Sequence, residues 1–313
     1  MAPSEEYAVV RRRVGFLDRG DFGVLELTGR DRASFLHALL SNEVKALGPG
    51  QGCAATLLDI HGKVQVVLFV WVADDRIFVV TPPAMAAKTA EALDHYLFSE
   101  KVAIEDVSRE KTLFVLAGPQ ARETSDRLMG KLGETPVRLV SGGGETGEAE
   151  VWIMCALTDA AKVRDALAGA DVRPIGPEAF ESLRIEAGTP LFGHDVDESV
   201  LLSEIPFDNL LSHTKGCYPG QEVVVRIRDR GHVNRMLRGL VLDGDQVPPQ
   251  GAEVVLDDTT IGKVTSAVRS FGLARPIALA FVRRQHAEPG TRVAVRFGGT
   301  TVAATVSALP FAR

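Results

Sequence analysis

One cysteine stands in chemically unusual company. Cys217 lies within Lys215-Gly216-Cys217-Tyr218-Pro219-Gly220-Gln221-Glu222, beside a lysine, between two glycines and just ahead of Val223-Val224-Val225-Arg226-Ile227-Arg228. Gly216 and Gly220 can each take φ > 0, and Pro219-Gly220 spells a tight turn. A packing cysteine needs none of this. A thiol on a glycine-rich bend beside a cation reads as partly exposed and activated, with Lys215 as the activator and the two residues as the candidate catalytic pair. The alternative is a structural turn in which the thiol is incidental.

A second group is Arg184-Ile185-Glu186-Ala187-Gly188, which closes a helix opened at Pro177. A glutamate in the last turn faces the negative end of the helix dipole, so something else must use it. Either Glu186 pairs with Arg184 or another neighbour, or it offers a bidentate acceptor to a planar pair of ligand N–H donors.

Arg226, Arg228 and Arg230 follow the cysteine at period 2, with Arg235 and Arg238 beyond. On an extended strand the first three share a face, opposite Val225 and Ile227. Such a stripe suits an anionic ligand or partner, or a solvated face balanced by Glu222 and Asp229. His213, Cys217 and His232 match no standard ligand spacing, and no metal site is expected. The run Ser141-Gly142-Gly143-Gly144-Glu145-Thr146-Gly147 lacks the Gly-Lys-Ser/Thr ending of a phosphate loop and precedes a strand, so it reads as a surface hairpin.

These residues must be positioned by a mixed scaffold. Gly23–Thr28, Cys53–Leu58, Val64–Val72, Arg76–Thr81, Val102–Val107, Lys111–Ala117 and Glu150–Leu157 read as strands, and Val223–Arg228 is strand-like. Arg30–Leu40, a segment opened by Pro82-Pro83, Pro119–Met129, Asp159–Leu167 and Glu178–Ala187 read as helices. From Met236 onward only short strand-like runs follow, between Gly, Pro and Asp. The fold class is therefore α+β, with an α+β region over residues 1–235 and a small all-β barrel or sandwich over 236–313.

The chain has 313 residues, 45% hydrophobic and 24% charged, with a net charge of −6. That balance argues against a nucleic-acid or anionic-membrane surface. Cys53, Cys155 and Cys217 are far apart, which excludes a disulfide framework and suits a reducing compartment; Cys53 and Cys155 fall in apolar strand patterns. Met1–Phe16 has no apolar core of a secretory signal, and the apolar run Val66–Ala73 is too short to span a bilayer. A cytoplasmic location is expected.

The Lys215–Glu222 motif resembles the signature of the YgfZ-type folate-binding proteins, relatives of the glycine-cleavage T-protein linked to iron–sulfur enzyme maintenance. Similarity extends through Ala8–Arg13 with Gly15-Phe16-Leu17-Asp18, Leu27–Asp31, and Phe35-Leu36 with Ser41-Asn42-Glu43-Val44. It continues in Arg184–Gly188 with Phe192-Gly193-His194-Asp195, Gly262–Ser266 and Leu309-Pro310-Phe311. The resemblance implies a three-lobed, T-protein-like folate-binding fold around a central channel, with a C-terminal β-barrel. It implies that Glu186 holds the pterin of tetrahydrofolate or a one-carbon derivative. Arg226 and Arg228 would face the folate's glutamate tail, and Gln221 and Asp59 complete the expected cofactor set.

One departure stands out. T-proteins carry Gly-Gly-x-x-Asp, whose aspartate serves aminomethyl transfer. The matching stretch here is Gly62-Lys63-Val64-Gln65-Val66, with Val66 at the aspartate's place, and an apolar side chain can neither orient the folate nitrogen nor stabilise charge there. The leading expectation is thus a tetrahydrofolate-binding protein serving iron–sulfur proteins or their assembly factors through Cys217. A folate-dependent one-carbon transferase or demethylase and a non-catalytic interaction module are the alternatives.

Overall fold

The computed structural model of the chain describes residues 1–312. In chain order, helix α1 (Pro3–Arg12) leads to strands β1 (Gly15–Asp18) and β2 (Gly23–Thr28), helix α2 (Arg32–Leu39), strands β3 (Gly52–Leu58), β4 (Val64–Val72) and β5 (Ile77–Thr81), then helix α3 (Ala86–Asp94). Strands β6 (Ala103–Asp106) and β7 (Lys111–Ala117), helix α4 (Ala121–Leu132), strands β8 (Val137–Ser141) and β9 (Glu150–Ala156), helix α5 (Ala160–Gly169), strand β10 (Arg173–Pro174) and helix α6 (Pro177–Ala187) follow. Helix α7 (Gln221–Arg230) precedes β11 (Arg235–Leu242), β12 (Glu253–Leu256), β13 (Thr259–Arg269), β14 (Pro276–Arg283), β15 (Arg292–Phe297) and β16 (Thr300–Ser307).

The strands sort into two five-stranded sheets, β10-β1-β7-β9-β8 and β3-β4-β5-β2-β6, and a closed barrel, β11-β14-β13-β12-β15-β16. The expected α+β class with a C-terminal all-β barrel is what the chain forms, and closure removes the exposed edges an open sandwich would leave.

Strand alternation decides what each sheet face meets. Along β4, Phe69 and Trp71 enter a core between the two sheets, with Trp152 and Met154 of β9 and Phe180 and Leu183 of α6. Val66, Leu68, Val70 and Val72 point the other way, into a core covered by α2 and α3. Helices α4 and α5 cover the outer face of the other sheet in the same manner.

The sequence reading omits helix α1 and strands β1, β8 and β10, and it assigns the segment of α7 to the wrong class. α1 escapes that reading because only Tyr7 and Val10 are buried, too few to set a helical period. Its signals are local ones: Pro3 in the first turn, Glu5 and Glu6 near the N-terminus, and Arg11 and Arg12 near the C-terminus, where each charge complements the dipole. The strand-like run Val223–Arg228 is helix α7. Period 2 therefore does not hold: at about 100° per residue, Arg226 and Arg228 lie on different helix faces. Val224 alone is fully turned into the junction core.

The lobes are joined by a buried polar clamp. Arg184, with no exposed surface, donates to Glu181 Oε1 at 2.7 Å, Asp195 Oδ2 at 3.0 Å and Ser266 Oγ at 2.8 Å. Asp195 also accepts from the hydroxyls of Thr265 and Ser266, each at 2.5 Å. This set ties α6, the following loop and barrel strand β13 into one unit. The C-terminal tail returns to α6, where the Phe311 amide donates to the Glu186 carbonyl at 2.9 Å.

Candidate functional site

The lobes enclose a cavity of about 870 Å³. Ala54, Val67, Phe69 and Thr81 line it from the β3–β5 side, Arg19, Phe22, Trp152 and Phe180 from the other sheet and α6. The segment from Ala187 to His194, the stretch Ile205–Leu210 and the tail residues Pro310 and Phe311 complete the wall. The motif Ser41-Asn42 earns its place here by pinning that wall: Ser41 Oγ donates to the Leu210 carbonyl at 2.5 Å, and Asn42 Nδ2 bridges the Ala54 and Asn209 carbonyls.

The inner surface is aromatic. Phe69 and Trp152 have ring centroids 4.9 Å apart, and Phe22 meets Trp152 edge-on at 6.0 Å. The Arg19 guanidinium lies over the Phe22 ring at 4.0 Å and over Phe180 at 5.2 Å.

The glycine run is not a free surface hairpin; Gly143, Gly144, Glu145 and Gly147 form part of the cavity wall. Glu150 fixes it, accepting from the Gly144 amide at 3.0 Å, from the Thr146 amide and hydroxyl at 2.8 and 2.9 Å, and from Trp152 Nε1 at 3.2 Å. Glycine is required where the loop crosses the indole: a Cβ at Gly142 would stand 2.1 Å from Trp152 Cδ1. Burial, reinforced by the nearby Glu150 and opposed by Arg19, pushes the Glu145 carboxyl up to about 7. Glu145 Oε2 and Arg19 Nε are both buried without a hydrogen-bond partner among the described residues. Sequence reasoning missed both residues. The available signal was Glu150, a carboxylate heading an apolar strand, which needs internal donors and so betrays a folded loop.

Glu186 is placed differently from the expectation. It does not line the cavity, has no exposed surface, and its acceptors are engaged by the protein itself. Oε2 accepts from the Tyr7 hydroxyl at 2.7 Å and Arg11 Nη2 at 2.8 Å, and Oε1 from Ser182 Oγ at 2.9 Å, Ser270 Oγ at 2.6 Å and the Gly272 amide at 3.2 Å. Burial pushes its carboxyl up, but the hydroxyls of Ser270, Tyr7 and Ser182 and the Gly272 amide outweigh it, so the group sits below the usual carboxylate range. Among the described residues it forms an ion pair with Arg11, while Arg184 pairs with Glu181 and Asp195. In this geometry Glu186 knits α1, α6 and the β13–β14 turn, and a ligand's bidentate donor pair would have to displace that set.

The thiol motif also lies outside the cavity. Cys217 is exposed. The Tyr218–Gln221 turn carries Gly220 at φ +78 in its third position, as a type II turn requires, with the Gln221 amide donating to the Tyr218 carbonyl at 3.2 Å. A Cβ on Gly220 would stand 2.5 Å from the Asp59 carbonyl oxygen and 3.0 Å from the Gly62 Cα, so this turn rests directly on the β3–β4 turn. Asp59 caps that second turn, Oδ1 accepting the His61 and Lys63 amides at 2.9 and 2.8 Å.

Lys215 was expected to activate the thiol. Its buried ammonium instead donates to the carbonyls of His37 and Leu40 at the C-terminal end of α2 and lies 5.0 Å from the Tyr218 ring centroid. Burial, set against Glu43, lowers its pKa to about 8. Gln221 opens α7, while Arg226 and Arg228 are exposed on it; Arg228 pairs with Asp229 at 2.6 Å and contacts His213 Nδ1 at 3.1 Å. None of Asp59, Lys215, Cys217, Gln221, Arg226 or Arg228 lines the cavity.

Val66 needs a correction of position. It faces the α2–α3 core, so no side chain at 66 looks into the cavity; Val67 and Phe69 do, and both are apolar. β4 presents no carboxylate to the cavity.

Among the described residues, no helix is long and apolar enough to cross a membrane.

The chain matches the GCVT N-terminal domain over residues 2–215 and the glycine-cleavage T-protein C-terminal barrel domain over residues 235–312. It is 28% identical to an aminomethyltransferase of Picosynechococcus sp., over 98% of this chain and 89% of the relative. It is 26% identical to a putative chloroplast transferase of Arabidopsis thaliana, over 94% of this chain and 70% of that one. The crystal structure of the glycine cleavage system aminomethyltransferase T from Bartonella henselae shares the fold, with a TM-score of 0.86 at 22% identity, over 99% of this chain and 89% of that one. With both domain models matched in order and nearly end to end, the chain belongs to the glycine-cleavage T-protein family.

Proposed function

We propose that this chain binds tetrahydrofolate, or a one-carbon derivative of it, in the cavity between the lobes, and serves the assembly or repair of iron–sulfur proteins through its exposed Cys217 thiol. The observation that carries the folate part is the cavity itself. Its volume of about 870 Å³ and the aromatic surfaces of Phe22, Phe69 and Trp152 suit a flat heterocyclic body, and its polar lining includes Glu145, Arg19 and Thr81, each with a buried atom that has no hydrogen-bond partner among the described residues. Family membership supports the same ligand.

The thiol part rests on exposure. Cys217 is exposed just ahead of the Tyr218–Gln221 turn and outside the cavity, where a macromolecular partner can reach it and a cavity ligand is not its neighbour. One thiolate cannot hold a cluster alone, so any cluster contact draws further ligands from the partner. Lys215 sets the turn's position from beneath.

A second reading, folate-dependent one-carbon transfer or demethylation, is favoured by Glu145. Its carboxyl, pushed to about 7, carries an exchangeable proton inside the cavity at neutral pH. The apolar face of β4 speaks against the T-protein's own aminomethyl transfer.

Calorimetric titration of tetrahydrofolate into the wild type and Cys217→Ser, paired with rescue of cells deficient in iron–sulfur maintenance, tests the proposal. Equal binding by both with rescue by the wild type alone is expected. Rescue by the serine variant removes the thiol from the mechanism. Turnover of an N-methyl or aminomethyl donor with tetrahydrofolate would favour the second reading.

A further inference from the structure

On the cavity wall, beside Phe22 and Phe180, a charged acceptor and a charged donor stand close together without hydrogen-bond partners among the described residues; Thr81 Oγ1, on the same wall, is a third unmet atom. Glu145 is 17% exposed at its side chain and Arg19 12%, and their closest approach is 3.9 Å, from Arg19 Nη1 to Glu145 Oε2. Arg19 Nε stands 3.6 Å from Asp21 Oδ1. Both separations exceed hydrogen-bond length. Glu145 Oε2 and Arg19 Nε are each buried with no hydrogen-bond partner among the described residues. A folded protein rarely leaves such atoms unmet. The pair is also held stiffly, since Phe22 and Phe180 pack on the guanidinium and Glu150 fixes the loop that carries Glu145.

An acceptor beside a donor, flanked by aromatic rings, is complementary to a flat heterocycle with N–H groups next to a carbonyl. We propose that Glu145 and Arg19 together read the aminopyrimidinone edge of the bound molecule, Glu145 accepting from its amino and ring N–H groups and Arg19 donating to its carbonyl oxygen. This inference rests on the folate reading and gives the recognition of the ring to a residue pair other than Glu186. It also predicts a pH dependence. Glu145 is faced by Arg19 and Asp21 before β2, by Glu150 of β9 and by Arg184 of α6. Only the ionised carboxylate accepts both N–H groups, so affinity rises as pH increases from 6 to 8.

The test compares tetrahydrofolate with its analogue carrying methyl in place of the 2-amino group, by calorimetry on the full chain. The wild type is expected to prefer tetrahydrofolate at least tenfold. Glu145→Gln, nearly the same size, is expected to lose at least tenfold in affinity, to discriminate less than threefold and to show no pH dependence between 6 and 8. Arg19→Gln should weaken both compounds, and Glu186→Gln should keep the discrimination. Circular dichroism and thermal melts report folding of each variant. Binding by the wild type with unchanged discrimination in Glu145→Gln overturns this inference and leaves the folate reading standing. Capture of free pterin but not tetrahydrofolate, with the same loss in Glu145→Gln, sinks the folate reading and supports the pair. A wild type that takes up neither molecule overturns both.

Discussion

Glu186 and Arg11 meet at 2.8 Å, 175 positions apart in the chain, and so fasten the first helix to the central one. The same carboxylate takes in the Tyr7, Ser182 and Ser270 hydroxyls and the Gly272 amide. A residue that looks like a ligand-binding carboxylate in sequence is thus the knot of a three-element junction, and its first expected effect is on stability.

Removing it leaves Arg11 with Glu148 as its remaining carboxylate partner among the described residues, at 2.6 Å, and strips the Tyr7, Ser182 and Ser270 hydroxyls and the Gly272 amide of their buried acceptor. Glu186→Ala is expected to cost about 3 kcal/mol or more, the usual effect of breaking a buried pair from one side. Because the folded group sits below its ordinary value of 4.5, its stabilisation is present above that pH and is lost as pH falls through the lower folded value. Urea titrations from pH 7 down to 3 should show a loss in the wild type that is flatter in Glu186→Gln.

Glu145 carries the opposite sign. Its folded pKa is raised from 4.5 to about 7, so the folded state favours the proton and loses stability as pH rises from 4.5 through 7. Glu145→Gln should therefore be more stable than the wild type at pH 8, by about 1–3 kcal/mol, and no more stable at pH 4. Thermal melts at the two pH values decide this. A site that costs stability when ionised is what a ligand-binding group looks like when its partner is missing.

Gly220 and Gly216 separate strain from composition. Gly220→Ala places a Cβ 2.5 Å from the Asp59 carbonyl at φ +78, and should cost about 2 kcal/mol or more. Gly216 has open space around its Cβ position, so Gly216→Ala should stay within about 0.5 kcal/mol of the wild type. Denaturant midpoints check both.

Lys215 is an anchor for α2. Lys215→Met should change the alkylation rate of Cys217 by less than about twofold, since the ammonium is engaged by the His37 and Leu40 carbonyls. Mass-spectrometric timing of iodoacetamide labelling measures it, and a tenfold slowing would return Lys215 to the thiol's activation.

Much of the scaffold was legible because its signals are local. The alternation of Val64–Val72, the Pro177 start and Gly188 stop of α6, and the turn-rich strands after Met236 each carry their own period or punctuation. Val223–Arg228 misled because β-branched residues alternate there with arginines. Its helix is decided by the turn at Gly220 and by Val224 packing in the junction, neither of which local period reports. The site was less legible for a related reason. Glu186's partners come from Tyr7 to Gly272, and the Arg19–Glu145 approach joins positions on different elements, so only the folded chain brings either set together. Ser141–Gly147 looked like solvent-exposed loop because its anchor, Glu150, lies outside the run.

The central claim is that tetrahydrofolate occupies the cavity between the lobes. Calorimetry of tetrahydrofolate with the wild type and with Val67→Trp, which fills the cavity from β4 without touching Cys217, tests it most directly. The account predicts saturable one-to-one binding by the wild type and its loss in a folded Val67→Trp. Equal binding by both proteins, or none by the wild type, would contradict it.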